Sequence, residues 1–136
     1  MTRSISSPLG WLARAGLCLA FVYSGVAKLI DWPGALAEQA HFGLEPAALF
    51  AAATIAVQLG GSVLVLFARG RLAIVGAFLL AGFTVVATLI GHAFWQETGM
   101  QRFHDLNSFL EHVGLVSGFV LIALQEAQRG RGGDGA

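Results

Sequence analysis

The chain is short of almost everything that marks a water-soluble enzyme. It holds one cysteine in 136 residues, Cys18. A lone cysteine excludes an internal disulfide framework and a CxxC redox pair. Cys18 sits in an apolar run, where it reads as a small hydrophobic filler rather than a reactive thiol. Charge is scarce as well. Asp, Glu, Lys and Arg make up 12% of the residues, against roughly 25% in an ordinary soluble domain. A domain of this size would need a fuller polar coat to stay in water. Eight acids balance eight bases, so no net field attracts nucleic acid and no basic cluster supplies a local one. The four histidines and the carboxylates show no HExxH, CxxC or HxH spacing, so no metal or haem site is read here. No serine or cysteine has a recognisable base beside it, which leaves nucleophilic catalysis without a candidate.

What is present is apolar sequence in quantity, 56% of the chain. It falls into four blocks, Leu9 to Ile30, Pro46 to Phe67, Leu72 to Trp95 and Leu106 to Leu124. A helix of about 20 residues crosses the hydrocarbon core of a bilayer. Only helices and closed barrels satisfy their backbone in lipid, and no block alternates with period two. The pattern therefore predicts an all-α fold, a four-helix transmembrane bundle in the lipid bilayer, as a single domain over residues 9–125. Residues 126–136, ending in "RGRGGDGA", are expected to form a disordered polar tail.

Basic residues set the expected orientation. Arg3, Arg69, Arg71, Arg129 and Arg131 flank one side, while Lys28 and Arg102 share the other with Asp31, Glu38, Glu45, Glu97 and Asp105. The positive-inside rule then makes both termini cytoplasmic. Trp32 and Trp95 fall at the outer interface and Trp11 near the inner one. A cleavable leader ending near Gly25-Val26-Ala27 is set aside, because the first block is long enough to span and Lys28 follows directly. The stretch "FVYSGVAKLIDWPG" reads as an exit from the membrane. Ser24 and Gly25 allow close helix approach, Lys28 reaches the interface, and Pro33-Gly34 turns the chain. An interfacial helix is expected around Gly34 to Phe42.

Polar side chains inside apolar blocks are the functional clue, since each is costly unless it faces the bundle or snorkels. Arg14 either snorkels to headgroups or serves the interior. Gln58 lies mid-block beside Gly60 and Gly61. Thr84, Thr88, His92 and Trp95 share one helical stripe, and the threonines can bond their own preceding carbonyls. Asn107, Glu111, Gly114 and Gly118 share another, whose GxxxG predicts a helix contact that turns Glu111 inward. His112 is rotated about 100° from Glu111. His104 reads as solvated. Lys28, His92, Glu111 and His112 belong to the outer third of the membrane, with Gln58 deeper and Arg14 toward the inner face. Such a cluster fits a pocket for a quinone headgroup or a similar amphipathic ligand, and equally a structural polar network.

These motifs carry a resemblance. "FVYSGVAKLID", through Phe21, Ser24, Gly25, Lys28, Leu29 and Asp31, resembles the first-helix signature of the DoxX family of small four-helix membrane proteins. "QLGG" in the second block, "GHAFW" at the end of the third, and Arg14 extend it across Leu9 to Leu124. The resemblance implies a bacterial plasma or inner membrane protein. It also implies association with a redox enzyme partner, as in membrane thiosulfate–quinone oxidoreductase. The chain would then be an accessory subunit with no intrinsic cofactor, binding quinone and receiving electrons from elsewhere. Distant relatives that look like assembly chaperones imply the competing reading, a non-enzymatic scaffold. Two departures stand out: Gln58 where the family often has glutamate, and Glu111-His112 where a Lys-Asn pair is common. Oligomeric state stays open.

Overall fold

The computed structural model describes residues 7–133. Arg3, used above for orientation, and tail residues 134–136 lie outside them. Five helices appear: α1 (Pro8–Ile30), α2 (Trp32–His41), α3 (Ala47–Phe67), α4 (Arg71–Gly91) and α5 (Gly99–Gly133), with a 3-10 turn at Phe94–Gln96 between the last two. The four long helices are each apolar enough over a sufficient length to cross a membrane. Leu19, Tyr23, Phe67, Phe78 and Leu121 all stand exposed on the bundle's exterior. An apolar outer surface around a helical core is the arrangement that hydrocarbon, rather than water, solvates. The protein is a multi-pass membrane protein.

Local chemistry fixes the breaks. The Ser7 hydroxyl accepts from the Gly10 N–H at 3.1 Å, and Pro8 opens α1 where its missing donor costs nothing. Asp31 leaves helical geometry and caps α2, its carboxylate accepting from the Gly34 N–H at 3.0 Å. A helix is thus present where one was expected around Gly34 to Phe42, as α2. Gly70, with φ of 61°, makes the tight turn from α3 to α4.

α1 packs on α3, α3 on α4 and α4 on α5. Glycines set the closest approaches. A Cβ on Gly76 would lie 2.8 Å from the Gly61 carbonyl oxygen, so α3 and α4 meet backbone to backbone there. Gly25 takes the Leu59 side chain and Gly118 takes Leu17. Gly60 and Gly114 touch nothing, which corrects their expected packing role: each is rotated out of the contact that Gly61 and Gly118 make. The core between the helices holds Cys18, Phe21, Val65, Leu80 and Phe119, with Phe21 edge-on to Phe119 at 5.5 Å between centroids.

The ring of helices closes at the α3–α4 turn end through a buried ion pair. Arg14 Nη2 lies 2.7 Å from Glu126 Oε1, and Nη1 donates to the Val65 carbonyl at 3.1 Å. Glu126 Oε2 accepts from the Gly70 N–H at 2.8 Å, and Arg129 approaches Oε1 at 3.4 Å. Trp11 Nε1 donates to the Leu66 carbonyl at 3.1 Å. The last carbonyls of α3 and the amide that begins the turn have no intrahelical partners, and α1 and α5 supply them. Two expectations are corrected here. Arg14 does not snorkel, because its carboxylate partner lies inside the bundle. Residue 126 does not begin a disordered tail: α5 stays helical to Gly133, and Glu126 is only 2% exposed.

Replacing Glu126 by Leu strands a buried guanidinium and should destabilise the bundle by about 3–5 kcal/mol. Adding Arg14→Met should recover part of that loss, the Val65 carbonyl and Gly70 amide remaining unpaired. Thermal unfolding in detergent reads both. A Glu126→Leu variant melting with the wild type would show that the pair does not hold the ring together.

Candidate functional site

At the opposite end of the bundle the helices enclose a cavity of about 620 Å³, within the range of small-molecule sites. Its walls are mostly apolar and aromatic, and its polar groups come from every helix. On α1, Ser24 and Lys28 stand one turn apart, and Lys28 Nζ donates to Ser24 Oγ at 2.9 Å. Lys28 also pairs with Glu38 of α2 at 3.0 Å. These contacts use two of the three ammonium hydrogens.

Gln58 of α3 is buried at the cavity wall, and its Nε2 donates to Ser24 Oγ at 3.2 Å. Its Oε1 is sealed from solvent with no hydrogen-bond partner. Exchanging the amide's oxygen and nitrogen lets the Ser24 hydroxyl donate to the carbonyl, and then the NH₂ is left over. In either orientation one polar end of Gln58 goes unsatisfied by the protein, at a cost of about 1–3 kcal/mol.

The other wall carries two histidines with ring centroids 5.1 Å apart. Thr84 donates to the Leu80 carbonyl and Thr88 to the Thr84 carbonyl, as their helical spacing predicts. A hydroxyl has one hydrogen, so with that bond made, Thr88 Oγ accepts from His112 Nδ1 at 2.9 Å. His112 then keeps Nε2 free. His92 Nδ1 lies 3.2 Å from Asp105 Oδ1, and Gln101 Nε2 donates to Oδ2 at 3.0 Å. A carboxylate only accepts, so Nδ1 of His92 carries a hydrogen, which fixes the tautomer of the neutral ring.

Of the residues singled out in the sequence, Lys28, Gln58, His92 and His112 line this one cavity, joined by Ser24. Arg14 lies outside it, in the ion pair at the far end. The inward turn of Glu111 is also corrected: its side chain is exposed on the bundle's exterior. The inner face of α5 runs instead through Asp105, His112, Phe119 and Glu126, seven residues apart in turn. Phe119, Ile122 and Ala123 are buried, and their burial fixes the rotation of the helix. Asp105 and Gln101, which hold His92, and Glu38, which holds Lys28, were not read as partners. The sevenfold spacing was the signal for Asp105 and Glu126.

Four spanning helices around a cavity with polar groups at one end define a small polytopic membrane protein. The chain belongs to the DoxX family, whose model matches residues 10–93. The matched region holds α1 to α4 and His92, while Asp105, His112 and Glu126 come from α5 beyond it. The chain is 24% identical over 115 residues to the inner membrane protein YphA of Escherichia coli (strain K12), an alignment covering 83% of this chain and 79% of YphA. No solved structure matches it significantly.

Asp105→Ala should free the His92 ring. Side-chain nitrogen NMR should then show neutral His92 moving away from the Nδ1–H tautomer, with the signals of exposed His41 on α2 unchanged. An unaltered tautomer would mean that Asp105 does not set it.

Proposed function

We propose that the protein binds a lipid-soluble ligand with an acceptor headgroup, of the quinone kind, in this cavity, and serves a redox partner as an accessory subunit. The observation that carries this reading is the convergence of polar groups: Lys28 of α1, Gln58 of α3, His92 at the end of α4 and His112 of α5 face one apolar chamber. Carbonyl oxygens of a quinone accept, which matches the spare ammonium hydrogen of Lys28, while the orphaned Gln58 Oε1 is an acceptor suited to a hydroxyl of the reduced headgroup. A bound quinone would supply reversible two-electron carrying capacity. The chain's own residues orient the headgroup and hold protons on His92 and His112, while electrons come from a partner.

Saturable binding of a short-chain ubiquinone or menaquinone analogue to the purified protein is the test. Lys28→Met should weaken it by about tenfold or more, the worth of one charged hydrogen bond. Gln58→Leu should weaken it less, and Glu111→Gln, on the exterior, should leave it unchanged. One observation favours a second reading, a scaffold or assembly chaperone: Lys28–Glu38 and His92–Asp105 also clamp α2 and α5 in place. Absence of saturable binding by the wild type would select that reading.

The reading includes a bacterial plasma or inner membrane location with the cavity facing outward and both termini cytoplasmic. Arg69, Arg71, Arg129 and Arg131 at the end remote from the cavity support it, and YphA is an inner membrane protein. Native Cys18 is fully buried, so single cysteines report cleanly. Glu97→Cys should react with an impermeant maleimide from outside intact cells, and Arg69→Cys only after lysis. The reverse pattern would invert the topology.

A further inference from the structure

We infer that the ligand enters the cavity sideways from the bilayer, through a cleft between α3 and α4, and carries a hydrocarbon chain that stays in that cleft. This rests on the cavity being the ligand site. α3 and α4 touch backbone to backbone at Gly61 and Gly76, near their connecting turn. Toward the other ends of these helices the cavity is lined by both, through residues between Phe50 and Gln58 of α3 and between Phe83 and Gly91 of α4. Phe50 and Ala53 of α3, with Val86 and Ile90 of α4, line the cavity. The same residues are exposed, Phe50 at 38%, Val86 at 57% and Ile90 at 41%, and Ala53 likewise. A residue that is both cavity wall and outer surface marks an opening.

The opening is at hydrocarbon depth. Ala53 is eight residues from Gly61, about 12 Å along the helix, and still well inside α3. Every residue named on its rim is apolar. At the membrane surface Glu38 of α2 and Phe42 just after it are likewise both cavity wall and exposed. A second mouth with a polar rim therefore lies there, narrowed where Phe42 comes within 3.9 Å of a Cβ built on Gly91 and where Lys28 pairs with Glu38. A polar solute would have to cross hydrocarbon to use the cleft. An acyl or isoprenoid chain moving from lipid into it exchanges one apolar surrounding for another. The headgroup then advances to Lys28, Gln58 and the histidines, which line the same cavity.

Two probes with one benzoquinone headgroup separate the alternatives, one bearing a decyl chain and the other a methyl group. Ala53→Trp and Val86→Trp put bulk in the cleft from exposed positions, so melting temperature should hold. Each should weaken the decyl probe by about tenfold, as overfilling a packed space does, and leave the methyl probe unchanged. Equal losses for both probes, or no loss for either, would overturn the inference. If neither probe binds the wild type, the headgroup reading fails and the cleft is judged alone. Nitroxides on Ala53→Cys and Val86→Cys in vesicles should then collide with lipid-dissolved oxygen and not with a water-soluble nickel chelate. Collision with the chelate would show an opening to water and would overturn the inference on its own.

Discussion

The backbone groups that α3 leaves unpaired at its turn into α4 must find partners on other helices, and that constraint organises the rest of the structure. The Val65 carbonyl is buried, and the Leu66 carbonyl and the Gly70 amide lie nearer the surface. Arg14, Trp11 and Glu126 satisfy them, and Arg14 and Glu126 then satisfy each other. α1 and α5 share few close approaches, so this knot also sets their rotations. With Arg14 turned inward, Phe21 and Lys28 follow on the same face at seven-residue steps. With Glu126 turned inward, Phe119, His112 and Asp105 follow in the opposite direction. The two helices run antiparallel, so Arg14 meets Glu126, Phe21 meets Phe119, and Lys28 and His112 arrive at the same cavity.

Much of this was legible in the sequence, for reasons that can be named. Apolar density located the spanning helices, because lipid tolerates few charges and the breaks between blocks hold them. The Asp31-Trp-Pro-Gly sequence located the start of α2 through capping and turn chemistry. Lys28, Gln58, His92 and His112 stood out because polar residues within apolar blocks are rare. What escaped was rotation. Asn107, Glu111, Gly114 and Gly118 obey the same helical spacing as the true inner face, and the small-residue rule favoured them. Only the burial of Phe119, Ile122 and Ala123 decides between the faces. Gly60 and Gly61 pose the same problem at adjacent positions. The Arg14–Glu126 pair spans 112 residues, a separation at which local pattern says nothing. The glycines after Glu126 imitated a disordered tail, although α5 continues through them to Gly133.

The two ends of the bundle differ in how completely their polar groups are matched. At the turn end both oxygens of Glu126 are occupied, both terminal nitrogens of Arg14 donate, and the pair is shut away from solvent. Such a network resists change, since displacing any member leaves a buried charge unpaired. At the cavity end the pairing is partial. Glu38, the partner of Lys28, is 47% exposed, so that contact resembles an ordinary interfacial ion pair of small worth. Gln58 keeps a polar atom with no partner at all, and each histidine keeps one ring nitrogen outside its pairing with Thr88 or Asp105. On the binding reading proposed above, the groups left unmatched beside the 620 Å³ space are the ones a polar headgroup would meet, and the rigid end supplies the stability that the open end gives up.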